Sequence, residues 1–560
     1  MSSGLFTRPV RMTALLTVLL PTFVFTSAFS FAPTAARRAA AQTTGIVESE
    51  GDPRTDLAPV LPASPPLGTA PAIPIVNLPD RPLRPRLILL TDLGASPHRE
   101  QQLVHLLTVC DRMDIEGLIA VTSDQLPGPP QPERFAPFID AFEQVVPNLR
   151  KHSEGWMTAE QLRAVVAAGQ SDFGLRNLGD GRSSPGSERI VSAMIRDDPR
   201  PLHIAVVGGS NTLGQALLDL RSRFIDSEFE AMLANVRVYE SGARDPASAW
   251  ICRDWPKIHW VRSLSQAYGL AEGAITEDTP MWLRRMSVQT PGPWCWEPFV
   301  EDAAGQNAWV KENIQKDHGP LGKVYPDSQP PGIRPRCIEG GGAATWIGLV
   351  NTGLYDSGRP WWGGWGGRFS RMKVSDEQSL DPETQVSEQA FFPFMMYRQA
   401  SDTWTDPRTQ TSYQGDLVPI WRFRRSIWND LAARMDWCVK PYDQANHHPI
   451  AAVNGDTTGR ILTQWAEAGD RIELTATAST DPDGDPLTYR WWIYPEAGTY
   501  PGTVTIENAD QPRIFLTVPD GAEGSEIHLV LEVSDQRKQS PELTSYRRIV
   551  VTVADGGIEN

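Results

Sequence analysis

The sequence predicts an α/β domain built on a mostly parallel sheet with helices on both faces, followed by a smaller all-β sandwich. The first observation is that apolar runs of strand length alternate with amphipathic segments of helical spacing between residues 85 and 265. Apolar strands alternating with helices are typical of parallel sheets covered on both faces. The second observation is that, after "NHHPIAAVNG", short alternating strands are separated by Gly, Pro and Asp turns. That spacing is typical of an antiparallel sandwich of about 100 residues.

The predicted elements follow one another in a regular order. The helix after the first strand is marked by Leu103, Leu106, Leu107 and Cys110, which share one helical face. The predicted strands of the α/β domain are "RLILL", "IEGLIAV", "LHIAVVG", "NVRVYE" and "KIHWVRS", and its later helices include "NTLGQALLDLRSRF" and "PASAWICRDW". The predicted strands of the sandwich lie in "RIELTATAS", "LTYRWWIYP", "RIFLTV", "IHLVLEVSD" and "RRIVVTVA".

Charge and composition narrow the class of partner. The 560 residues include 52 Lys and Arg against 68 Asp and Glu, a formal net charge of −16. This charge argues against nucleic acid or an anionic membrane as the main partner. Nineteen Trp residues are many, and exposed indoles commonly grip sugar rings, although most buried Trp residues are simply core. The five cysteines form no C-x-x-C, so no zinc or redox motif is supported, and we expect several to be small buried hydrophobes.

The N-terminal segment is predicted to be a secretory signal. Arg8 and Arg11 form a basic region, "MTALLTVLLPTFVFTSAFSF" is apolar, and "AAA" at 39–41 offers small residues for cleavage near Gln42. An uncleaved membrane anchor is the alternative. We therefore expect a secreted, periplasmic or cell-surface protein with no membrane contact after signal removal.

The change in pattern along the chain predicts four segments. The fragment from about 448 to 560 is expected to fold alone, because a linker-like stretch separates two kinds of periodicity. The predicted segments are a signal peptide at 1–41, a Pro/Ala-rich linker at 42–82, the α/β domain at 83–445 and the sandwich at 449–556.

Polar and glycine-containing segments follow several predicted strands. Asp92 follows the first strand, "GGSNT" at 208–212 follows a later one, and a third strand leads to Asp245. Ligands of open α/β sheets bind beyond the carboxyl ends of the strands, so we expect these segments to form one candidate site. The alternatives are that Asp92 caps the following loop or helix, and that "GGSNT" is only a turn capped by Asn211.

Several longer blocks occur in a specific order along the chain. They are "TDLG…QQLVHLL…DIEGLIAVTS", "GGSNTLGQAL", "HGPLGKVYP", "NTGLYDSGRPWWGGWGGR", "NDLAARMDWC", "NHHPIAAVNG", "STDPDGDPLTYRWWIYPEAGTY" and "IHLVLEVSD". Together they resemble a family of secreted bacterial proteins described as cellulose-binding, with a nucleoside-hydrolase-like domain followed by an Ig-like domain. The resemblance covers nearly the whole chain after the signal segment. It implies a nucleoside-hydrolase-like α/β fold, an Ig-like sandwich and a polysaccharide or small-sugar ligand.

The resemblance also implies a Ca²⁺ site that this chain has largely lost. Ordinary nucleoside hydrolases hold Ca²⁺ with an aspartate cluster after the first strand, a backbone carbonyl from a Gly-x-x-Thr-Asn-type loop and a distal aspartate. Asp92 matches the first aspartate, and Asn211 lies where the carbonyl would come from. The positions of the missing acidic ligands are occupied by Ser96, His98, Arg99 and Gly341. We therefore expect no metal and no other cofactor, since one carboxylate beside an arginine does not offset the desolvation of the ion.

The candidate site residues divide into two groups. The predicted catalytic residues are Asp92, Asp245 and Glu339, and the predicted substrate-binding residues are Asn211, Thr212, Trp361, Trp362 and Trp365. The three Trp residues lie among glycines in "PWWGGWGGRFSR", so we expect an exposed stacking platform for sugar, with a place in the core as the alternative. His98 and Glu100 are further candidates for a rebuilt site, although a solvated first turn of a helix is the favoured interpretation.

The segment "DPDGDP" places Asp481, Asp483 and Asp485 at alternate positions, as in calcium loops. The twelfth position is Trp492 and not the bidentate Glu of an EF-hand, which favours a simple turn between strands.

Two functional classes remain from the sequence. The first is a carbohydrate-binding protein on a hydrolase-like scaffold with a degenerate calcium site, and the second is a hydrolase of glycosidic or N-glycosidic bonds with a rebuilt site around Asp92. The missing ligands favour the binding protein.

Overall fold

The computed structural model describes residues 84–242, 244–263, 309–326, 341–350, 353–371, 397–408, 410, 412–538 and 540–555. These residues belong to one compact unit. Within these ranges no helix combines the length and apolar character that a membrane span requires. The predicted signal segment, the predicted linker at 42–82, Glu339, Cys295 and Cys337 lie outside the described residues.

The α/β domain is built on an eight-stranded sheet. Its strands are β1 Arg86–Thr91, β2 Asp114–Ala120, β3 Val166–Ala168, β4 Leu202–Val206, β5 Val236–Ser241, β6 His259–Ser263, β7 Phe369–Arg371 and β8 Tyr397–Gln399. Their order across the sheet is β3-β2-β1-β4-β5-β6-β8-β7. All neighbouring pairs among these described strands are parallel except β7 with β8.

Helices follow most of the strands. The described helices are α1 Pro97–Thr108, α2 Ala136–Leu149, α3 Ala159–Ala164, α4 Pro185–Met194, α5 Asn211–Arg223, α6 Asp226–Ala234, α7 Ala247–Asp254, α8 Gly319–Val324, α9 Ala344–Ile347, α10 Val418–Trp421 and α11 Arg424–Trp437. Helix α4 begins at a capping box in which the Ser184 side chain accepts a hydrogen bond from the Ser187 backbone N–H at 3.1 Å.

The two faces of the sheet are covered by different helices. Along β1, Leu87 and Leu89 belong to one apolar cluster, whereas Ile88 and Leu90 belong to another. Successive side chains of a strand point to opposite faces, so this alternation means that both faces are buried. Helices α1, α2 and α11 contribute to the first cluster, and α4 to α7 contribute to the second. The predicted parallel sheet with helices on both faces is confirmed.

The C-terminal domain consists of two small sheets that face each other. After a hairpin of β9 Asp402–Thr405 and β10 Ser412–Gly415, its strands are β11 Leu462–Ala466, β12 Arg471–Thr475, β13 Leu487–Ile493, β14 Ile506–Glu507, β15 Arg513–Thr517, β16 Glu526–Asp535 and β17 Thr544–Val553. The sheet orders are β11-β17-β16-β13 and β12-β15-β14. Leu474 and Leu516 of one sheet join Leu529 and Val551 of the other in a single apolar cluster, as a sandwich requires.

One strand pair differs from the predicted antiparallel arrangement. β11 pairs in parallel with β17. Nearly the whole domain lies between these two strands, and parallel pairing needs such a long connection, whereas a short hairpin always pairs its strands antiparallel.

The outer face of the larger sandwich sheet packs on the α/β domain. Tyr494, Val530 and Tyr546 of the sandwich belong to the same buried cluster as the first face of the central sheet. The linker-like stretch before the sandwich is also packed, because Asn446 is 1% exposed and its carbonyl accepts a hydrogen bond from Trp437 Nε1 at 2.7 Å.

Arg548 ties the sandwich to the α/β domain. Its side chain is fully buried, and it donates to the carbonyls of Leu354 at 2.9 Å and Gly363 at 3.0 Å. It also donates to His528 Nδ1 at 2.9 Å, and burial lowers the pKa of His528 to about 4, which keeps that ring neutral and able to accept. These carbonyls would lose a charged donor if the sandwich were removed.

Candidate functional site

The aspartate after the first strand is held in a closed ion pair. Asp92 is fully buried, its Oδ1 accepts from Arg99 Nε at 2.6 Å, and its Oδ2 accepts from Ser123 Oγ at 2.6 Å. Arg99 lies in the first turn of α1 and is itself 7% exposed, while Ser123 follows β2. Both carboxylate oxygens are therefore engaged within the chain. The positive charge beside Asp92 comes from an arginine.

Asp92 does not cap the helix that follows it, which was the alternative interpretation of this residue. The N-cap of α1 is Ser96, and no side chain donates or accepts a capping hydrogen bond there. Pro97 begins the helix, and Gly94 with a φ of 101° turns the chain between the strand and that helix. Asp92 thus pairs with the helix through Arg99 and does not cap it.

The two glycines of "GGSNT" allow three strand ends to approach closely. A Cβ on Gly208 would lie 2.9 Å from the backbone N of Asp92, and one on Gly209 would lie 2.2 Å from the Thr122 carbonyl oxygen. The Gly209 position would also come within 2.8 Å of Asp245 Oδ2. This segment therefore lies between the two predicted catalytic aspartates, as expected for strand ends on one edge of a sheet.

Asp245 accepts hydrogen bonds from the first turns of two helices. Its Oδ1 accepts from the Ala247 backbone N–H at 2.8 Å, and its Oδ2 accepts from that of Asn211 at 3.2 Å. These groups begin α7 and α5 respectively, where backbone donors and the helix dipole favour a carboxylate. Burial nevertheless raises the pKa of Asp245 to about 6, because it is fully enclosed. A buried carboxyl with such a pKa exchanges its proton near neutral pH.

The predicted substrate-binding pair beside it is anchored to the loop after β3. Asn211 Nδ2 donates to the carbonyls of Asp172 at 2.7 Å and Gly174 at 3.1 Å, and Thr212 Oγ1 accepts from the Gln170 N–H at 3.0 Å. Asn211 Oδ1 is buried without a hydrogen-bond partner in the described ranges. That oxygen is the one acceptor of the pair that the loop leaves available.

Two residues at this edge were not predicted from the sequence, and both follow the second strand of the chain. Ser123 and Asp124 follow β2, and the Asp124 backbone N–H donates to the carbonyl of Arg244 at 3.1 Å. Burial raises the pKa of Asp124, and Arg244 opposes that shift. Ser123 and Asp124 could have been predicted from the same pattern as Asp92, because they are polar residues that closely follow a buried strand.

His98 and Glu100 lie in less solvated surroundings than expected. His98 is 4% exposed, and its Nδ1 lies 3.1 Å from Gln101 Oε1. Burial also raises the pKa of Glu100, while the nearby Arg134 lowers it. The interpretation of a solvated helical turn is therefore wrong, because α1 is covered at its beginning as well as along its apolar face.

The expected exposed platform of three tryptophans is also wrong. Trp362 is 3% exposed and Trp365 is 1% exposed, and Trp361 is half-buried with its ring stacked 6.3 Å from Tyr397. Trp362 meets the ring of His528, and Trp365 meets the ring of Tyr546, both of the sandwich. The neighbouring glycines have no side chains to cover the indole rings. The sandwich domain occupies that space and buries Trp362 and Trp365.

The acidic "DPDGDP" segment forms the predicted turn between β12 and β13. Carboxylate oxygens of Asp481, Asp483 and Asp485 lie within 4.8 Å of one another. Asp481 Oδ1 accepts from the backbone N–H groups of Asp483 and Asp485, at 2.8 and 3.1 Å. Arg537 lies 3.3 Å from Asp483 and 3.5 Å from Asp485, so the cluster already has a cationic partner within the chain.

The three cysteines in the described ranges are buried and unreactive. Cys110, Cys252 and Cys438 are free and buried, as small hydrophobes are. Burial raises the pKa of Cys110 to about 12, which keeps the thiol protonated and unreactive at neutral pH.

The sheet order, with glycine loops and buried aspartates at its carboxyl edge, defines a nucleoside-hydrolase-like protein. Residues 86–369 match the family described as cellulose-binding Sde182, nucleoside hydrolase-like domain, and residues 471–553 match the C-terminal domain of cellulose-binding protein Sde0182. Since the first match spans more than half of the chain, the protein belongs to the cellulose-binding Sde182 family. The predicted family is thereby confirmed.

A solved structure extends the likeness to most of the chain. It is a nucleoside hydrolase-related hypothetical protein from Saccharophagus degradans, described as associated with carbohydrate metabolism. The identity is 29%, the match covers 84% of this chain and 100% of that one, and the TM-score is 0.67. A PKD domain from KIAA 1837 protein matches at 18% identity over 18% of this chain and 85% of that one, but its TM-score of 0.14 carries no argument. No curated protein matches the chain.

Proposed function

We propose that this chain is a secreted or cell-surface carbohydrate-binding protein that holds cellulose or a related polysaccharide on a hydrolase-like scaffold without calcium. The observation that carries the proposal is the Asp92–Arg99 ion pair, in a family described as cellulose-binding. A guanidinium in hydrogen-bond contact with the one remaining carboxylate repels a dication and already neutralises the carboxylate. The proposed ligand is a polysaccharide or small sugar, with no nucleic acid and no membrane as partner.

A second candidate function is hydrolysis of a glycosidic or N-glycosidic bond by a rebuilt site. Two observations favour it: the pKa of Asp245 is about 6, and Asn211 Oδ1 is a buried acceptor beside it. A carboxyl that titrates near neutral pH suits general acid–base work on a leaving group. The hydrogen bonds that Asp245 accepts from Asn211 and Ala247 come from helix starts, however, so structural capping accounts for its position as well.

Retention on microcrystalline cellulose tests the proposal and separates it from the alternative. We expect the full chain to bind, with the same affinity after dialysis against a chelator and after addition of millimolar Ca²⁺. The matched variant is Asp245→Asn, which removes the titrating proton and which we expect to bind as the wild type does. Failure of the wild type to bind cellulose, or loss of binding on chelation, contradicts the proposal. Release of sugar or base from cello-oligosaccharides or ribonucleosides, abolished in Asp245→Asn, would establish the hydrolase instead.

A further inference from the structure

A groove of about 560 Å³ lies where the α/β domain meets the C-terminal sandwich. On the α/β side it is lined by Trp309, Asn313, Arg425 and Asn429, and on the sandwich side by the end of β16 and the loop that follows it. Its volume lies in the range of roughly 300–1,000 Å³ that is usual for ligand sites. The groove is separate from the carboxyl edge of the central sheet, because none of the residues that line it follows a strand of that sheet.

The α/β wall combines an indole with polar side chains on two elements. The Trp309 ring packs edge-on against Trp428 of α11, with ring centroids 5.5 Å apart, and Trp309 is only partly buried. Asn313 Nδ2 donates to the Trp309 carbonyl at 2.8 Å, within a stretch that continues as a π-helical turn over Lys311–Gln315. Such turns are rare and occur often at functional sites.

Arg425 provides an unused hydrogen-bond donor on the same wall. It lies in the first turn of α11, and its Nε is buried without a hydrogen-bond partner in the described part of the chain. Arg425 as a whole is only partly buried and lines the groove, so this wall presents a cationic hydrogen-bond donor beside the indole.

The sandwich wall is a loop whose backbone is fixed from both domains. Asn429 Nδ2 of α11 donates to the Glu542 carbonyl at 2.9 Å, and Asn446 Nδ2 donates to the Pro541 carbonyl at 3.0 Å. The Asp535 carboxylate accepts from Asn446 Nδ2 at 2.9 Å and from the Leu543 N–H at 3.1 Å. Polar side chains carried on such a fixed loop lose little entropy on binding a ligand.

The charges on the groove balance one another. Arg537 is already paired with Asp483 and Asp485, and the other charged residues that line the groove are two cationic ones, Arg425 and Lys538, and two acidic ones, Asp535 and Glu542. A groove with matched charges and many hydrogen-bonding groups suits a neutral polyhydroxylated ligand better than an anion. The half-buried indole supplies the apolar surface on which a sugar ring stacks.

We propose that this interdomain groove is the glycan-binding site, and that its ligand is a neutral polysaccharide chain lying against Trp309. The assignment rests on the proposed carbohydrate-binding function and names the place where that function is carried out. It replaces Trp361, Trp362 and Trp365 as the proposed sugar platform.

The test measures the affinity of the full chain for microcrystalline cellulose and for cellopentaose, by depletion and by calorimetry. The variants are Trp309→Ala, Arg425→Ala and Lys538→Ala, and the control is Trp465→Ala. Trp465 is 63% exposed and pairs with Thr552, eight residues along β17 from Thr544 at the groove end, which is about 26 Å at the usual rise per residue. The control variant Trp465→Ala therefore removes an accessible indole that lies far from the groove.

We expect Trp309→Ala and Arg425→Ala each to weaken binding about fivefold or more, with Lys538→Ala weaker in effect and Trp465→Ala unchanged. Added salt and trigalacturonate are expected to leave cellopentaose affinity unchanged, because the ligand is neutral. Thermal unfolding of each variant is measured alongside. Lys538 is exposed, so Lys538→Ala should fold and keeps the test valid even if Trp309→Ala unfolds. If the wild type binds and all three groove variants bind equally well, the groove is not the binding site. The same follows if Trp465→Ala abolishes binding. Either result contradicts the groove but not the carbohydrate-binding function. A wild type that binds neither probe overturns both, and tighter binding of trigalacturonate overturns the neutral ligand.

Discussion

The carboxyl edge of the central sheet and the interdomain groove differ in how far the chain satisfies its own polar groups. At the sheet edge, Asp92 has both oxygens bonded to Arg99 and Ser123, and Asp245 receives two helix-terminal N–H groups. In the groove, the backbone of the loop is held firmly, while the Nε of Arg425 has no hydrogen-bond partner among the described residues. The carboxylates of the sheet edge are thus already bonded within the chain, although Asn211 Oδ1 remains a buried acceptor beside them. Burial of carboxylates at the expected edge therefore does not by itself identify the working surface.

The largest expected effect comes from separating the two domains, since the groove needs both and the sheet edge needs only one. We expect residues 448–560 alone to show no cooperative thermal unfolding, contrary to the independence predicted from the sequence pattern. Tyr494, Val530 and Tyr546 would lose their apolar cover, and Arg548 would be left buried or exposed without its carbonyl partners. The control is residues 84–560, which keep the interface. Cooperative unfolding of the short fragment would show that the interface adds little and that the sandwich is autonomous.

Breaking the ion pair at the sheet edge is the next largest effect. We expect Asp92→Asn and Arg99→Met each to lower the free energy of unfolding by about 3–5 kcal/mol, because each leaves one buried partner uncompensated. The double variant should be less destabilised than the sum of the two single variants, as measured by urea denaturation of all four proteins. Additive losses would mean that the two side chains act independently. Cellulose retention should persist in every variant that folds, which separates this edge from the groove.

The two buried carboxyls, Asp245 at the edge and Asp535 at the groove, give a pH test with a defined sign. Burial raises the folded pKa of both to about 6, above the ordinary value of 3.8. The folded state therefore binds these protons more tightly, so their contribution to stability is complete below about pH 4 and is lost as pH rises through 6. A shift of this size corresponds to a loss of about 3 kcal/mol for each carboxyl, since both side chains are buried.

Unfolding free energies measured between pH 4 and pH 7.5 check this sign. The wild type should lose stability over this range, and Asp245→Asn and Asp535→Asn should each lack the part of that decline that comes from the replaced carboxyl. Parallel curves for Asp245→Asn and wild type would mean that its carboxyl is already ionised at pH 4 in the folded protein.

Much of the fold was predictable because it depends on patterns that lie within a few residues of each other. The apolar run of β1 and the helical face of Leu103, Leu106 and Leu107 appear in the structure as expected. The parallel β11–β17 pair was not predictable, since pairing direction depends on a contact between the two ends of the domain. The candidate site was partly predictable: Asp92, Asn211 and Asp245 do meet at one edge. The two partners of Asp92 were not predicted as such. Arg99 was assigned to the position of a missing metal ligand, and Ser123 was not singled out.

By itself, the sequence determined the family, the parallel sheet and the smaller all-β region that follows it, because these depend on residue identity, order and short-range periodicity. Only the tertiary structure decided which polar groups are satisfied. Trp362 and Trp365 lie among glycines and have little local cover, yet the sandwich buries them against His528 and Tyr546. Arg99 replaces an acid in sequence, but its 2.6 Å contact with Asp92 exists only once α1 packs on the sheet. The groove is likewise formed by α11 and a loop more than 100 residues further along the chain. Burial and hydrogen bonding are properties of residues brought together from distant segments, and no local pattern contains them.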